Sequence, residues 1–478
     1  MESHATQPAY NPVLAALLIV ITMLAAAAVA DAQPLSLDEA IETARNRNLR
    51  DRQQALAIDE AIAQNRRAAA RYLPTLQAEG NAIVWDDELV LSLGGSAPPD
   101  LPAPATPYEE VVAGLVGNLS TPSTIRNQIT ANVQVSIVQP LIQLYPIHLN
   151  RQLTEVGVEA AKLERQALGQ ALAFNAATLW LQVQLTDNLL ENALISKAEL
   201  EAQAERVETL VQAGAAVRAD LLRLQVAVAN AQRDIIRLTN TRASALAQLA
   251  LLMNRNLDST ATLADLDASG EPPSAGGTLT EAIDTGLNQR IELEVLDAQS
   301  TQARLSRDLT RTEMFPELTL IGAYQRTEGQ GLANQDQLFA GLFMTWSIFE
   351  WGSRSHAVDA AQTRMEQLDV GRQQLRQQIE LDIRNAWLEL DTARASWSVS
   401  NTAVAQAEAV YRNERLRFDQ GASTTVDLIA SESELTRTRN ARSIAWTNAA
   451  VALARMRFTT GAPITAQTVL MRHANPGG

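Results

Sequence analysis

Metal coordination, nucleophilic attack and cation binding are the chemistries against which the side chains of this 478-residue chain are tested first. Its four histidines are His4, His148, His356 and His473. No two of them show the HxxxH or HExxH spacing that sets two imidazoles on one helix face. Cysteine is absent, which removes thiolate zinc sites, thiol nucleophiles, disulfides and any anchor attached to a cysteine. There is no GxSxG, P-loop or GxGxxG segment. Trp85-Asp86-Asp87-Glu88 has the charge to hold a cation, but a solvated acidic loop accounts for the same residues. His148 and His356 occupy nearly matching places at the start of two long helices and read as polar residues near a rim. No enzyme, metal or cofactor has a constellation to stand on. With 39 Lys+Arg against 54 Asp+Glu, the net charge of −15 also denies nucleic acid the basic face it needs. What remains is a pair of carboxylates, Asp220 and Asp427, each six residues after a glycine, Gly214 and Gly421.

The elements that position this pair are long helices. None of the 17 prolines falls within 147–271 or 317–462, and proline breaks helix interiors. Residues 147–213 form a helix candidate about 100 Å long at 1.5 Å per residue. Leu221, Leu224, Val228, Ala231, Ile235 and Leu238 then repeat with the 3-4 spacing of a coiled-coil seam. Ile379, Ile383, Ala386, Leu390, Ala393 and Trp397 make a similar stripe further on. Gly214 and Gly421 lie where each long helix reverses, and the carboxylates begin the returning helices, where a helix dipole favours them.

The chain also repeats itself. Leu37-Asp-Glu-Ala-Ile-Glu-Thr43 returns as Leu279-Thr-Glu-Ala-Ile-Asp-Thr285, 242 residues later. Gly214-Ala215 returns as Gly421-Ala422 at an offset of 207. The first copy therefore carries a longer loop, placed at 86–125, where six prolines cluster. The expected organisation is a signal peptide at 1–30, a first repeat at 37–256, a linker at 257–277, a second repeat at 278–462 and a tail at 463–478. The signal peptide is read from the apolar run Val13–Ala30 and the small residues that end it, although no Lys or Arg precedes it.

Each repeat places two alternating segments before its long helices. Ile129, Ala131, Val133, Val135 and Ile137 alternate with Thr130, Asn132, Gln134 and Ser136. Strands are expected at about 76–85, 129–139, 318–325 and 338–349, with helical hairpins at 147–253 and 353–460. Phe339, Phe343 and Trp346 are candidate interface aromatics. About ten residues, apolar outward and polar inward, is the transmembrane barrel pattern. Four strands cannot close a barrel, and open edges cannot face lipid. Copies must pool strands; two would give eight and three would give twelve.

In order, spacing and duplication these segments resemble the TolC-type outer-membrane efflux duct family. The opening LDEAIETARNRN, Leu73-Pro74-Thr75-Leu76, Gln139-Pro140-Leu141, Ser347-Ile348-Phe349 and Trp351-Gly352 carry the likeness. So do Gln212-Ala-Gly-Ala215 and Gln420-Gly-Ala422. The resemblance implies a mainly α fold with a membrane β-barrel: a homotrimer with a long α-helical barrel and a shared 12-stranded barrel, four strands per chain. It implies a passive duct in the outer membrane of a Gram-negative bacterium. The duct would meet a periplasmic adaptor through the turns at Gly214, Ala215, Gly421 and Ala422, and be fed by an inner-membrane pump, proton-driven or ABC-type, in efflux or type I secretion. The family closes its periplasmic aperture with a tyrosine, an arginine and two aspartates around the second turn. Here those positions read Phe418, Ser423, Asp427 and Ala430. The aperture residues expected in this chain are Asp427, Asp220 and Phe418, with three copies of Asp427 making an acidic constriction that favours cations. The competing expectation is an exported coiled-coil scaffold or adaptor with no barrel.

Overall fold

The structure is a computed structural model that describes residues 34–91, 106–120, 123–256, 262–266, 268, 270–331 and 335–470. The expected signal peptide, the end of the tail and part of the linker lie outside them. The chain divides into two compact units. One comprises residues up to Ile58, Ala161–Asp297 and residues from Val370; the other is Asp59–Ala160 with Ala298–Asp369.

The element order is α1 (Leu37–Arg47), α2 (Leu49–Ala70), β1 (Thr75–Val84), β2 (Leu89–Leu91), α3 (Pro107–Ser120), β3 (Ser123–Pro140), α4 (Leu144–Gln212) and α5 (Arg218–Leu252). The order then recurs as α6 (Leu279–Gln289), α7 (Ile291–Thr312), β4 (Glu317–Gln330), β5 (Asp336–Thr345), α8 (Ser353–Asp419) and α9 (Thr425–Thr460), closing with α10 (Ala466–Leu470). Corresponding helices start by the same chemistry. The Ser36 hydroxyl accepts from the Glu39 N–H at the head of α1. Thr278 and Glu281 form a complete capping box at the head of α6, which satisfies two amides that a helix start leaves unpaired.

In the first unit α1 lays Leu37, Ala40, Ile41 and Ala44 against Ala176, Ala177 and Trp180 of α4, with Trp446 and Ala450 of α9 in the same cluster. Alanines that are completely buried there allow close approach of the backbones. The Trp180 indole N–H donates to the Leu35 carbonyl at 3.0 Å, so its polar atom is satisfied inside the core. A second cluster joins Ala282 of α6 to Ile379, Ile383, Ala386, Leu390 and Ala393 of α8 and to Leu453 of α9. The stripe expected on α8 is therefore a packed face, and Leu221, Leu224, Val228 and Ala231 of α5 likewise pack toward α4.

The second unit holds one antiparallel sheet. The long strands lie in the order β1-β3-β4-β5, with the short β2 pairing β3 beyond the end of β1. β1 and β5, ten residues each, are the edges.

Several boundaries differ from expectation. β3 begins at Ser123, six residues early, and β4 runs on to Gln330. β5 stops at Thr345 rather than Phe349. Helix α4 starts at Leu144 and keeps Pro146 in its first turn, where a proline's missing N–H has no intrahelical partner to lose. The proline-rich insertion is not all loop, because it contains α3. Thr106 and Glu109 cap that helix, the Glu109 carboxylate accepting from the Thr106 N–H at 2.8 Å and its hydroxyl at 2.6 Å. Pro107 stands at its first position. Thr-Pro-x-Glu is a helix-start signature that the proline count obscures.

Candidate functional site

The two helix reversals in the first unit are built alike. Gly214 and Gly421 both have φ of +72°, the left-handed conformation that ends helices and that glycine adopts without strain. After Gly214, the Ala215 N–H reaches back to the Leu210 carbonyl at 2.8 Å and the Gly214 N–H to Val211 at 3.0 Å. After Gly421, Ala422 bonds Arg417 at 2.8 Å and Gly421 bonds Phe418 at 3.0 Å. This pair of bonds, six-to-one and five-to-two, defines the Schellman motif. All four turn residues are exposed and available to a partner.

The carboxylates that follow have local work. Asp427 is the third residue of α9; its N–H donates to the Thr424 hydroxyl oxygen at 3.2 Å, and the hydroxyl donates to its carboxylate at 2.6 Å. Asp220 sits at the matching place on α5, where Val217 offers no side-chain cap. It takes a 3.0 Å bond from Arg223 instead. Both are solvent-accessible, Asp427 the more so. Phe418 is half-buried. It packs with Leu428 and Leu435 of its own hairpin and with Leu200, Val207 and Leu224 of the other. Its ring ties the two hairpins together. Arg206 of α4 pairs with Asp419 beside it. Ser423, where the family pattern has arginine, donates to Glu414 at 2.6 Å.

Sequence reasoning missed a set of polar contacts further from the turns. Asn192 donates to Asn440 at 3.0 Å, and Ser196 hydrogen-bonds Glu432, which is 4% exposed. Tyr411, 5% exposed, hydrogen-bonds Glu199. Burial holds the Glu432 carboxyl above the usual carboxylate range and pushes the Tyr411 phenol up as well. The signal was available in the 4-3-4-3 spacing of Asn192, Ser196, Glu199, Gln203 and Arg206, which marks a seam by period although its residues are polar.

In the second unit, strand register divides the sheet into two faces. Leu76, Ala78, Gly80, Ala82 and Val84 of β1 stand opposite Ile137, Val135, Val133, Ala131 and Ile129 of β3. Ile137 and Val135 stand opposite Gly322 and Tyr324, which continue to Ala340 and Leu338. The other face carries Gln77, Glu79 and Asn81, then Ser136, Gln134 and Asn132, then Gln325 and Gln337. The apolar face is open: Leu76 is 73% exposed and Leu338 83%. A continuous apolar sheet face in contact with solvent signals a missing apolar neighbour. Phe339 and Phe343 fall on the face shared with Gln337, so the register does not place them at an apolar boundary. Trp346 lies past the end of β5, its indole N–H donating to the Met314 carbonyl at 3.2 Å.

The remaining candidates separate. His148 Nδ1 lies 3.1 Å from the Tyr72 hydroxyl, while His356 faces Asp359 at 3.6 Å on the surface. Among the described residues no group of three or more His, Cys, Asp or Glu is placed to hold a metal. The acidic loop after β1 meets a cation from its own chain. The Arg126 guanidinium stacks 3.9 Å over the Trp85 ring and donates to the Asp87 carbonyl at 3.3 Å. No described helix is long and apolar enough to cross a membrane.

Residues 282–462 match the family model of outer membrane efflux proteins. No curated protein matches the chain in sequence. Among solved structures, CusC, studied for the conformational changes that accompany its folding and transmembrane channel formation, aligns with a TM-score of 0.72 at 17% identity, over 89% of this chain and 92% of its own. The Campylobacter jejuni CmeC outer membrane channel aligns at 0.69 and 14% identity, over 89% and 85%. The open Neisseria gonorrhoeae MtrE outer membrane channel aligns at 0.69 and 18%, over 89% of each. The likeness first carried by scattered motifs therefore holds in the fold across nearly the whole chain, and in the family model across residues 282–462. The matched family and the proteins that share the fold are channels, not enzymes.

Proposed function

We propose that this chain, with the fold of the outer membrane efflux channels, is the passive exit duct of a tripartite export system. The observation that carries the reading is the sheet: apolar on an exposed face, polar on the other, and bounded by two ten-residue strands, each with one edge unpaired. Open edges are incompatible with lipid. The long strands alternate in direction, so β1 and β5 run oppositely, and β5 of one copy can pair antiparallel with β1 of the next. Three copies of four long strands then close a 12-stranded barrel, an even number as bacterial barrels have. The apolar face meets outer-membrane lipid and the polar face lines the lumen.

The helical hairpins carry the passage across the periplasm. The exposed turns at Gly214, Ala215, Gly421 and Ala422 are the docking points for a periplasmic adaptor, behind which an inner-membrane pump, proton-driven or ATP-driven, selects the cargo. Asp427, supported by Asp220, supplies the acidic aperture, and Phe418 serves it by holding the hairpins in register.

The test is fractionation followed by native mass spectrometry of the full-length protein expressed in a Gram-negative host. Retention in the outer membrane through a carbonate wash, with a detergent-extracted mass of three chains, is the expected result. Release by carbonate as a monomer would sink the duct and favour a peripheral coiled-coil scaffold.

A further inference from the structure

The end of α4 faces the second hairpin with a seam of unusual composition. Asn192, Ser196, Glu199, Gln203 and Arg206 follow the rhythm in which a coiled coil places apolar residues. Four of them make polar contacts to the second hairpin: Asn192 with Asn440, Ser196 with Glu432, Glu199 with Tyr411 and Arg206 with Asp419. Gln203 is 4% exposed, and its side-chain oxygen has no hydrogen-bond partner. Within the first hairpin the contacts are apolar instead, with Leu200 and Val207 against Leu224 and Val228. Near the turns the two hairpins therefore meet through the apolar Phe418 and Ile429 and through this polar seam, part of which can titrate.

Glu432 lies at the middle of this seam. Its carboxylate is hydrogen-bonded by Ser196 from α4 and by Thr436 on α9 at 2.8 Å. The groups that face it are few. Glu199 on α4 brings a second negative charge. Tyr411 on α8 lies beside both, with Arg415 near its phenol. Arg439 on α9 is the nearest compensating cation, and it is engaged by Glu408 of α8 at 3.0 Å. A buried carboxylate facing a like charge, with its cation shared elsewhere, is costly when ionised.

We propose that Glu432 and Glu199 form a proton-controlled latch that holds the two hairpins of one chain together in acid and loosens them as pH rises. With Glu432 neutral, Glu199 has no like charge facing it and Glu432 gains a further donor. With Glu432 ionised, the two carboxylates face each other at mid-seam. The directions agree. Burial and Glu199 raise the Glu432 pKa against Ser196, Thr436 and Arg439, which lower it. The raised Tyr411 phenol stays a neutral donor to Glu199 throughout. A pKa raised in the folded state stabilises fully below the ordinary carboxylate value, and that stability is lost as pH rises through the folded value. The latch depends only on contacts within one chain and stands independently of the duct reading.

Hydrogen exchange of the full-length protein in detergent tests it, read at amides 196–207 and 425–435 between about pH 5 and about pH 8 and normalised to intrinsic exchange rates. In the wild type, opening is expected to increase with pH by up to about tenfold per unit across the titration, while amides 445–454 in the core stay protected. Glu432→Gln is expected to remove that dependence and stay protected. Glu199→Gln is expected to move the rise to lower pH. A flat wild-type profile, or a wild-type slope in Glu432→Gln, overturns the proposal. If Glu432→Gln loses its helical signal, Glu199→Gln decides, since an unmoved profile there overturns it equally.

Discussion

Residues in the left-handed region end the long helices, and what surrounds each sets its tolerance to change. Gly214 and Gly421 face open space, whereas a Cβ at Gly461 would stand 2.7 Å from the Gln289 carbonyl oxygen. Ala at either turn should cost about 1 kcal/mol from backbone strain alone. Gly461→Ala should cost about 2–4 kcal/mol because a clash with backbone is added. Urea unfolding of the three variants gives the ranking. The place equivalent to Gly461 in the first copy is Asn254, φ +46°, with the same pair of reverse-turn bonds to Leu251 and Ala250. Asparagine is the other residue that tolerates this region. A second residue-scale expectation concerns Asp51, held by Arg165 through two 2.8 Å bonds. That hydrogen bonding holds the Asp51 carboxyl below the usual carboxylate range. The pair's contribution is complete above that range and fades as pH falls through the depressed value. Asp51→Asn should therefore lose about 1–2 kcal/mol near neutrality, and the gap from wild type should shrink below about pH 4, as measured by denaturant midpoints across pH.

At the scale of elements, register makes the sheet testable with neighbouring substitutions. Val135 lies on the apolar face and Gln134 on the polar face. Val135→Arg should cost about 2–4 kcal/mol if that side meets lipid at mid-depth, and Gln134→Arg far less. Folding titrations into lipid vesicles, read on a heat-modifiable gel, would show the difference. Equal losses would mean that neither face meets lipid. The long helices divide their contacts in a parallel way. Alanine and leucine cores join α1 to α4 and α6 to α8, whereas near the turns α4 meets the second hairpin through a polar seam beside the Phe418 and Ile429 contact. Non-directional burial supplies cohesion, and paired polar groups supply a contact that can be broken without exposing an apolar core.

For the whole molecule, the net charge of −15 is spread along both repeats, so only its local arrangement bears on what passes. Asp427 is exposed and its carboxylate is anchored by Thr424. In planar bilayers the protein should favour cations, and Asp427→Asn should shift the reversal potential toward zero in a salt gradient, more so at low ionic strength, where screening is weak. An unchanged cation preference would remove Asp427 from the aperture and leave the sheet-based reading of the duct intact. Asp427→Asn keeps an acceptor for the Thr424 hydroxyl and loses only the negative charge in the first turn of α9, which is expected to cost about 0.3–1 kcal/mol of stability without changing the mass of the assembly.

Period and punctuation were enough for the elements. A helix needs only an uninterrupted 3.6-residue pattern and a strand only alternation, both local properties, so the long helices, the four long strands and the glycine turns were legible residue by residue. The repeated LDEAIE and Gly-Ala segments placed the elements in two similar sets. Local signals failed where they conflicted. The prolines of 86–125 outweighed the Thr106–Glu109 cap that starts α3, and the aromatic residues of β5 suggested a boundary that register assigns to the polar face. Which strands pair, and hence that β1 and β5 are left as the open edges, was settled by tertiary structure, since hydrogen-bond partners far apart in sequence leave no periodic trace. So was the burial of Glu432 and Tyr411. A polar residue at a seam position looks solvated in sequence, and only the arrival of a second helix removes its water and gives it a partner.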